Sequence, residues 1–189
     1  MSADPSFLMK STVQSRGEAT ALLHNPGDAV LVERGRPRWL LLKCPCGCGE
    51  VIPINLDKRA GPAWRLYRSK RYGYSVHPSV WRDTGCESHF IIWRNRILLL
   101  GKRYGGYRSL AAREEITALG EQVYAALPEN EFTYYVVIAD TIREVPWEVL
   151  DACRYLVREG LALEHETDER GLFRRRNRPA RKESFSQYV

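Results

Sequence analysis

The chain has 189 residues, of which 44% are hydrophobic and 11% aromatic, and its formal net charge is +6. This apolar content suffices for one large or two small cores, so an intrinsically disordered chain is excluded. No apolar run approaches the ~20 residues that span a bilayer, and the N-terminal residues lack the pattern of a signal peptide. We therefore expect a cytoplasmic protein with no membrane partner.

The charge is distributed unevenly along the chain. Residues 1–104 contain 17 basic and 8 acidic side chains, whereas residues 105–173 contain 6 basic and 14 acidic ones, and six further basic residues follow within 174–182. Such shifts in charge commonly separate domains and tails. We predict a β-rich domain at 1–104, a second domain at 105–176 and a basic flexible tail at 177–189.

Short runs of β-branched and aromatic residues alternate with turn signals in the first domain, which is the pattern of a small, mostly antiparallel β module. The last two runs are separated only by Arg94 and Asn95 and predict a hairpin. The predicted strands are 29–33, 38–43, 50–55, 64–68, 73–76, 89–93 and 96–100.

Helical periodicity replaces the strand pattern in the second domain. A first helix is predicted with Ser109 as its N-cap and an end at Pro128. A second short helix is predicted at 132–139. A third helix begins at Pro146, which suits the first helical position, and ends at Gly160, which suits a C-terminal cap.

Two short apolar runs, 161–165 and 172–174, follow the third helix and predict a hairpin. Three helices followed by a hairpin is the order of a winged helix, so the whole chain is predicted to be α+β. Because acidic residues predominate in 105–173, this segment should repel a polyanion. We therefore expect a protein-docking or structural role and do not expect nucleic acid as a partner.

Four cysteines fall into two groups about forty residues apart. Cys44, Cys46 and Cys48 alternate with proline and glycine, and Cys86 begins the second group. In a reducing compartment, clustered cysteines favour a metal site over a disulfide. Cys153 stands alone in an apolar helical pattern and is interpreted as a core residue.

Two zinc ligand sets are open. The first consists of Cys46, Cys48, Cys86 and His89, with Cys44 as a spare thiol. The second consists of the four cysteines and leaves His89 free for chemistry. Either set gives zinc four protein ligands and no vacant position for water, so the predicted zinc is structural and not catalytic.

A hydrolase would need a hydroxyl nucleophile and an imidazole base within hydrogen-bond reach. If 88–93 is a strand, Ser88 and His89 point to opposite faces and cannot readily pair. Ser79 follows a proline at the predicted end of a strand and can pair with His89, while Asp83 or Glu87 can orient the imidazole. The candidates considered near the metal segments are Ser75, Ser79, Ser88, His77 and His89.

The motifs taken together resemble BubE, a small bacterial family associated with operons for ubiquitin-like conjugation. The resemblance covers roughly residues 25–100 and does not reach the winged-helix-like segment. The family has a Gly-containing turn after Pro-Ser, where this chain has Val80-Trp81-Arg82. The motifs that carry the resemblance are Cys44-Pro-Cys-Gly-Cys-Gly49, Trp64, Pro78-Ser79, Cys86-x-Ser-His-Phe90 and the Ile-rich hairpin.

The resemblance implies a deubiquitinase-like serine peptidase that matures a ubiquitin-like protein or releases it from its conjugates. Ser79 would be the nucleophile and His89 the base, with Ser88 as the less favoured nucleophile. The structural zinc would then be held by cysteines alone. The ligands of this set are Cys44, Cys46, Cys48 and Cys86.

The implied partners are a ubiquitin-like protein and its conjugates, together with activating-enzyme-like and conjugating-enzyme-like proteins of the same operon. An exposed strand edge near Arg65 to Tyr74 is expected to bind the extended tail of the substrate by strand addition. The alternative function is a non-catalytic, zinc-containing winged-helix adaptor or nucleic-acid-binding regulator. The basic and aromatic stretch 64–72 is typical of a single-strand binder and equally of an amphipathic strand pair.

Overall fold

The computed structural model describes residues 5–100, 113–166 and 171–176. The chain divides into two compact units, Met1–Leu110 and Ala111–Val189. Within the described ranges, no helix is long and apolar enough to cross a membrane. The predicted cap Ser109 and the predicted tail 177–189 lie outside the described residues.

The first sheet of unit 1 has four strands in the order β1-β2-β3-β4. β1 pairs with β2 in parallel, and the other two pairings are antiparallel. A short helix, α1, connects the parallel strands and covers one face of the sheet. The elements are β1 (Leu8–Val13), α1 (Arg16–Thr20), β2 (Asp28–Glu33), β3 (Pro37–Lys43) and β4 (Val51–Asn55).

The second sheet of unit 1 is an antiparallel meander in the order β5-β6-β7-β8, so β5 and β8 are its edges. A 3-10 helix, Lys58–Ala60, lies in the connection between the two sheets. The strands are β5 (Arg65–Ser69), β6 (Gly73–Trp81), β7 (His89–Trp93) and β8 (Arg96–Leu100).

The two sheets enclose a common apolar core. Leu40 and Leu42 of β3 pack there with Val80 of β6 and Phe90 of β7. Leu41, which points to the opposite face of the first sheet, packs in a second cluster with residues of the α1 region. Because both faces of β3 are covered, its sequence is apolar at consecutive positions and does not alternate.

In residues 113–166 and 171–176, unit 2 has three helices and a small antiparallel sheet of order β10-β11-β9. Pro146 is in the first turn of α4, and Gly160, with φ +72°, follows the end of that helix, both as predicted. The elements are α2 (Arg113–Ala126), β9 (Thr133–Tyr134), α3 (Tyr135–Ile142), α4 (Pro146–Arg158), β10 (Ala162–Glu164) and β11 (Leu172–Arg175).

The α+β class is confirmed, with sheets that are largely antiparallel and four α-helices among the described residues. The seven predicted strands of unit 1 are present, although β6 runs on from the predicted end at residue 76 to Trp81. The helix predicted at 132–139 is displaced: residues 133–134 form β9, and α3 begins at Tyr135. The thiol of Cys153 is buried within α4, as expected for a core residue.

Candidate active site and metal centre

The four cysteines of the two motifs form one cluster. Their sulfur atoms all lie within 4.8 Å of one another, and Cys44 Sγ is 3.2 Å from Cys46 Sγ and 3.6 Å from Cys86 Sγ. Four sulfurs at the usual Zn–S distance on a tetrahedron are roughly 3.8 Å apart, so this cluster has the size of a single metal site. The four thiols therefore fit one thiophilic cation, and zinc is the metal most often held by such a set.

Local backbone geometry brings the first three thiols together. The chain leaves β3 at Lys43 and turns back on itself, with the Gly47 amide donating to the Cys44 carbonyl at 3.3 Å. Gly47 has φ +87°, a conformation that residues with a Cβ rarely adopt. The Cys44 amide donates to the Glu50 carbonyl, which closes the loop before β4 begins.

Cys86 reaches the same place from the other sheet. It lies in the loop between β6 and β7, whereas the other three thiols follow β3 of the first sheet. A metal bound by all four would link the two sheets of the sandwich at one end. Arg82 and Glu50 form a second link between the same loops through an ion pair.

Ser88 belongs to the cysteine cluster. Its buried hydroxyl is 3.2 Å from Cys86 Sγ and 3.4 Å from Cys44 Sγ. Burial opposes ionisation of Cys86, but the hydrogen bonds from Ser88 and the neighbouring thiols outweigh it and lower the Cys86 pKa to about 6. Burial raises the pKa values of Cys44 and Cys46, because desolvation disfavours their charged thiolate forms.

Ser79 and His89 form a hydrogen-bonded pair, with His89 Nε2 at 3.0 Å from Ser79 Oγ. His89 is the first residue of β7 and pairs with Trp81 of β6. Val80, between Ser79 and Trp81, and Phe90, which follows His89, point into the sandwich core. Ser79, Trp81 and His89 therefore share the opposite face of the sheet, because side chains alternate along each strand.

An irregularity in strand pairing lies beside Ser79. Val76 pairs with Ile92 and Val80 with Phe90, so β6 has extra residues relative to β7 between these pairs. Pro78 lies in this bulge and has no amide hydrogen to donate to a neighbouring strand. Bulges redirect side chains next to functional sites, and this one precedes the Ser79 hydroxyl directly.

Trp64 fixes the main chain of Ser79. Its indole N–H donates to the Ser79 carbonyl oxygen at 3.2 Å, and its own amide donates to the Asn55 carbonyl at 2.8 Å. In the sequence, Trp64 was one of the motif residues that carry the resemblance, but no role could be assigned to it. The structure gives it one, since it ties the serine segment to the end of β4.

Burial lowers the pKa of His89, because its half-buried ring is poorly solvated when charged. The side chains of Asp83 and Glu87 were the predicted orienting groups, and within the described part of the chain neither forms a hydrogen bond with His89. The tilted Trp81 ring lies near the imidazole, with centroids 6.3 Å apart, and Trp81 exposes 70% of its surface.

The predicted candidates thus separate into two neighbouring groups. One is the cysteine cluster with Ser88, and the other is the Ser79–His89 pair. Of the two ligand sets, the geometry favours the four cysteines, because His89 Nε2 is engaged by Ser79. Ser75, another candidate hydroxyl, is buried and accepts a hydrogen bond from the Arg94 amide.

Comparison with protein-family models matches residues 16–100 to BubE, described as a bacterial ubiquitination-like system serine protease. The matched segment begins in α1, ends with β8 and contains both groups of candidate residues. This match supports a BubE-like assignment for the segment. No curated protein and no solved structure matches the chain.

Two features of this BubE-like segment were not expected from the sequence. Val80 and Trp81, which stand where the family has a Gly-containing turn, continue β6 beyond its predicted end and pair with β7. Ser88, the less favoured nucleophile, has its hydroxyl among the thiols. The sequence carried a signal for the second feature, since a serine two residues after a cysteine ligand is well placed to hydrogen bond to its sulfur.

Proposed function

We propose that this chain is a deubiquitinase-like serine peptidase in which Ser79 is the nucleophile, His89 is the general base and a structural zinc is held by the four clustered cysteines. The observation that carries the proposal is the 3.0 Å contact between Ser79 Oγ and His89 Nε2, inside the segment that matches a serine protease family. A hydroxyl bonded to an imidazole of lowered pKa is the minimal arrangement for nucleophilic acyl transfer at neutral pH.

In the proposed reaction, His89 Nε2 accepts the Ser79 proton as Oγ attacks the carbonyl carbon that ends the tail of a ubiquitin-like protein. The proton then passes from His89 to the leaving amine as the peptide or isopeptide bond breaks and an acyl-enzyme forms. His89 next deprotonates a water molecule, which releases the tail as a carboxylate. Backbone amides near the serine are the usual donors to the oxyanion in such steps.

The zinc has a positional role in this proposal. Four thiolates would leave the ion no open position, so it holds the loop after β3 and the loop before β7 and does not activate water. The second loop leads directly into His89, three residues after Cys86. The metal would therefore fix the start of the strand that carries the base.

The extended tail of the substrate requires a groove or a strand edge. β5, Arg65–Ser69, is an edge strand, and its first residue pairs with His77 of β6, two residues before Ser79. A tail added along this edge would end close to the nucleophile. The exposed indole of Trp81 offers a flat surface next to the same pair, on which glycine residues could pass without steric hindrance.

Covalent labelling tests the nucleophile without knowledge of the substrate. A fluorophosphonate probe should phosphonylate Ser79 Oγ with loss of fluoride, because the probe reacts with hydroxyls activated by a base. Trypsin cuts after Arg71, Arg82 and Arg94, so peptide 72–82 contains Ser79 and peptide 83–94 contains Ser88. Mass spectrometry should find the adduct in the first peptide, with fragment ions that place it on Ser79 and not on Ser75.

Two results would contradict the assignment. An adduct in peptide 83–94 would move the nucleophile to Ser88. A protein that is folded and metal-bound but takes up no label would favour the alternative function, a non-catalytic adaptor. Ser79→Ala is the matched control, because it removes only the hydroxyl oxygen and should leave peptide 72–82 unlabelled.

The pH dependence of activity follows from His89. Only the neutral imidazole can accept the serine proton, and burial lowers the His89 pKa below its ordinary value of 6.5. Activity should therefore be fully developed at pH 7 and should fall as the pH drops through a midpoint below 6.5. A profile of kcat/KM between pH 5 and 8 on a cleavable reporter would measure this midpoint; one well above 6.5 would contradict His89 as a desolvated base.

For unit 2 we propose a winged-helix fold that serves protein docking. Its element order, α2-β9-α3-α4-β10-β11, and the pairing of β9 with β11 support this assignment. Acidic side chains outnumber basic ones in residues 105–173, which favours a protein partner over nucleic acid. Such a module would help to bring the peptidase to the conjugates or conjugation enzymes of its pathway.

A further inference from the structure

Unit 1 contains a second candidate site on the face of the first sheet that points away from the second sheet. Arg16 of α1, Arg34 after β2 and Arg38 of β3 line a pocket of 350 Å³, together with Trp39 and Asp57. Val32 and Ala60 complete the lining. Val32 belongs to the cluster on the outer face of the first sheet, whereas Ser79 lies on the outer face of the second sheet.

The positive charge at this pocket exceeds the negative charge built into it. The buried Asp57 carboxylate forms ion pairs with three guanidinium groups, those of Arg36, Arg38 and Arg59. Arg16 and Arg34 add two further guanidiniums, and neither forms an ion pair with a described carboxylate. Among the residues that line the pocket, Arg16, Arg34 and Arg38 therefore face the single carboxylate of Asp57, and a bound anion would offset their mutual repulsion.

The arginines are held in place from the protein side. Arg34 Nε donates to the Gln14 carbonyl at 2.6 Å, and the Arg16 guanidinium lies 3.8 Å from the centre of the Trp39 ring. Asp57 is fixed in turn, because its amide donates to Asn55 Oδ1 and its carboxylate caps the 3-10 helix at the Arg59 amide. Pre-positioned guanidiniums lose little conformational entropy when they bind an oxyanion.

One donor atom next to the pocket also lacks an acceptor. Arg36 Nε is buried and has no hydrogen-bond partner among the described residues, although Arg36 Nη2 donates to Asp57 at 3.2 Å. Buried donor atoms are nearly always satisfied, so this single nitrogen would gain from an added acceptor, although the rest of the Arg36 side chain is exposed to solvent. Arg36 does not line the pocket, but its guanidinium shares the Asp57 carboxylate with Arg38, which does.

We propose that this pocket binds a phosphate-bearing small molecule. Guanidinium groups bind phosphate oxygens in a bidentate manner, and several of them match the two or more charges of a di- or polyphosphate better than the single charge of a carboxylate. The pocket has the volume of a small-ligand site. The inference is independent of peptidase activity.

Isothermal titration calorimetry with the full chain tests the proposal, using pyrophosphate and ADP as separate probes. We expect saturable binding that weakens as sodium chloride is raised. The double variant Arg16→Gln/Arg34→Gln removes the two guanidiniums that are not paired with Asp57 and should weaken binding roughly 100-fold. The control Arg143→Gln/Arg158→Gln removes two exposed charges from unit 2 and should bind as the unaltered chain does.

The two probes also distinguish the source of the phosphate. Equal affinity for pyrophosphate and ADP indicates a site for the phosphate group itself, whereas clearly tighter binding of ADP indicates a nucleotide whose nucleoside part adds contacts at the pocket. Failure of both probes to bind at millimolar concentration would overturn the proposal. Equal weakening in the two double variants would do so as well, because it would show that net charge alone, and not this pocket, attracts the anion.

Discussion

Ser79→Ala is expected to reduce cleavage of a ubiquitin-like protein fused through its tail to a reporter by ~10⁴-fold or more, to the limit of detection. The reason is that the substitution removes the only atom of the pair that can attack the scissile carbonyl, the Oγ that lies 3.0 Å from His89 Nε2. The loss should appear in kcat, because the hydroxyl contributes little to binding of the tail. Cleavage is measured by gel electrophoresis of the fusion and by the mass of the released products.

Two further variants separate chemistry from structure. His89→Gln keeps a polar side chain at the start of β7 but removes the base, so it should be inactive to a similar degree. Ser88→Ala removes a hydroxyl that contacts two thiols and should retain cleavage wherever metal is retained. Persistent cleavage by Ser79→Ala protein, with normal circular dichroism, would exclude Ser79 as the nucleophile.

Cys44→Ser and Cys86→Ser are each expected to abolish metal binding and to unfold or loosen unit 1. Each removes one of four sulfurs that lie within 4.8 Å of one another, and the remaining three belong to a cluster that spans both sheets. Binding of structural zinc contributes about 10–16 kcal/mol to folding in small zinc domains, so the loss of one ligand should lower the melting temperature strongly. Inductively coupled plasma mass spectrometry should find one zinc ion per unaltered chain and less than a tenth of this zinc content in the variants.

The fifth cysteine provides the control. Cys153→Ala alters a buried thiol of α4 that lies outside the cluster, so metal content should remain at one ion per chain even if the stability of unit 2 falls. Treatment of the unaltered protein with a chelator should reproduce the effect of Cys86→Ser. Full zinc content in Cys86→Ser protein would rule out the four-cysteine set and return His89 to the list of possible ligands.

Much of unit 1 could be predicted from its sequence because its signals are local. The hairpin of β7 and β8 follows from apolar runs separated by Arg94 and Asn95, both of which adopt positive φ values in the turn. The cysteine cluster was predictable because sulfur ligands at short spacing are rare outside metal sites. The pairing of Ser79 with His89 depended on strand direction, which the alternation of buried residues specified.

Other features depended on partners that are distant in the sequence. β1 alternates only between exposed and half-buried residues, so its apolar pattern is weak. It pairs in parallel with β2, so no hairpin turn in the sequence indicates the pairing. β9 has two residues and exists only because β11 pairs with it. Helix α1 did have a local signal, since the Ser15 hydroxyl accepts from the Glu18 amide as an N-cap and donates to the Glu18 carboxylate. Its five residues are too few to show an apolar stripe.

The N-terminal segment changes what counts as the minimal folded protein. Phe7 is buried in the shared core, its amide donates to the Asn95 carbonyl, and the Ile97 amide donates to the Pro5 carbonyl. The family match starts at residue 16, after this strand has ended. A clone trimmed to residues 16–100 would lack Phe7, a core residue, and β1, which pairs with β2. β2 would then be an unpaired edge strand, which favours self-association. Expression work on this family should therefore take its boundaries from the architecture and not from the aligned region.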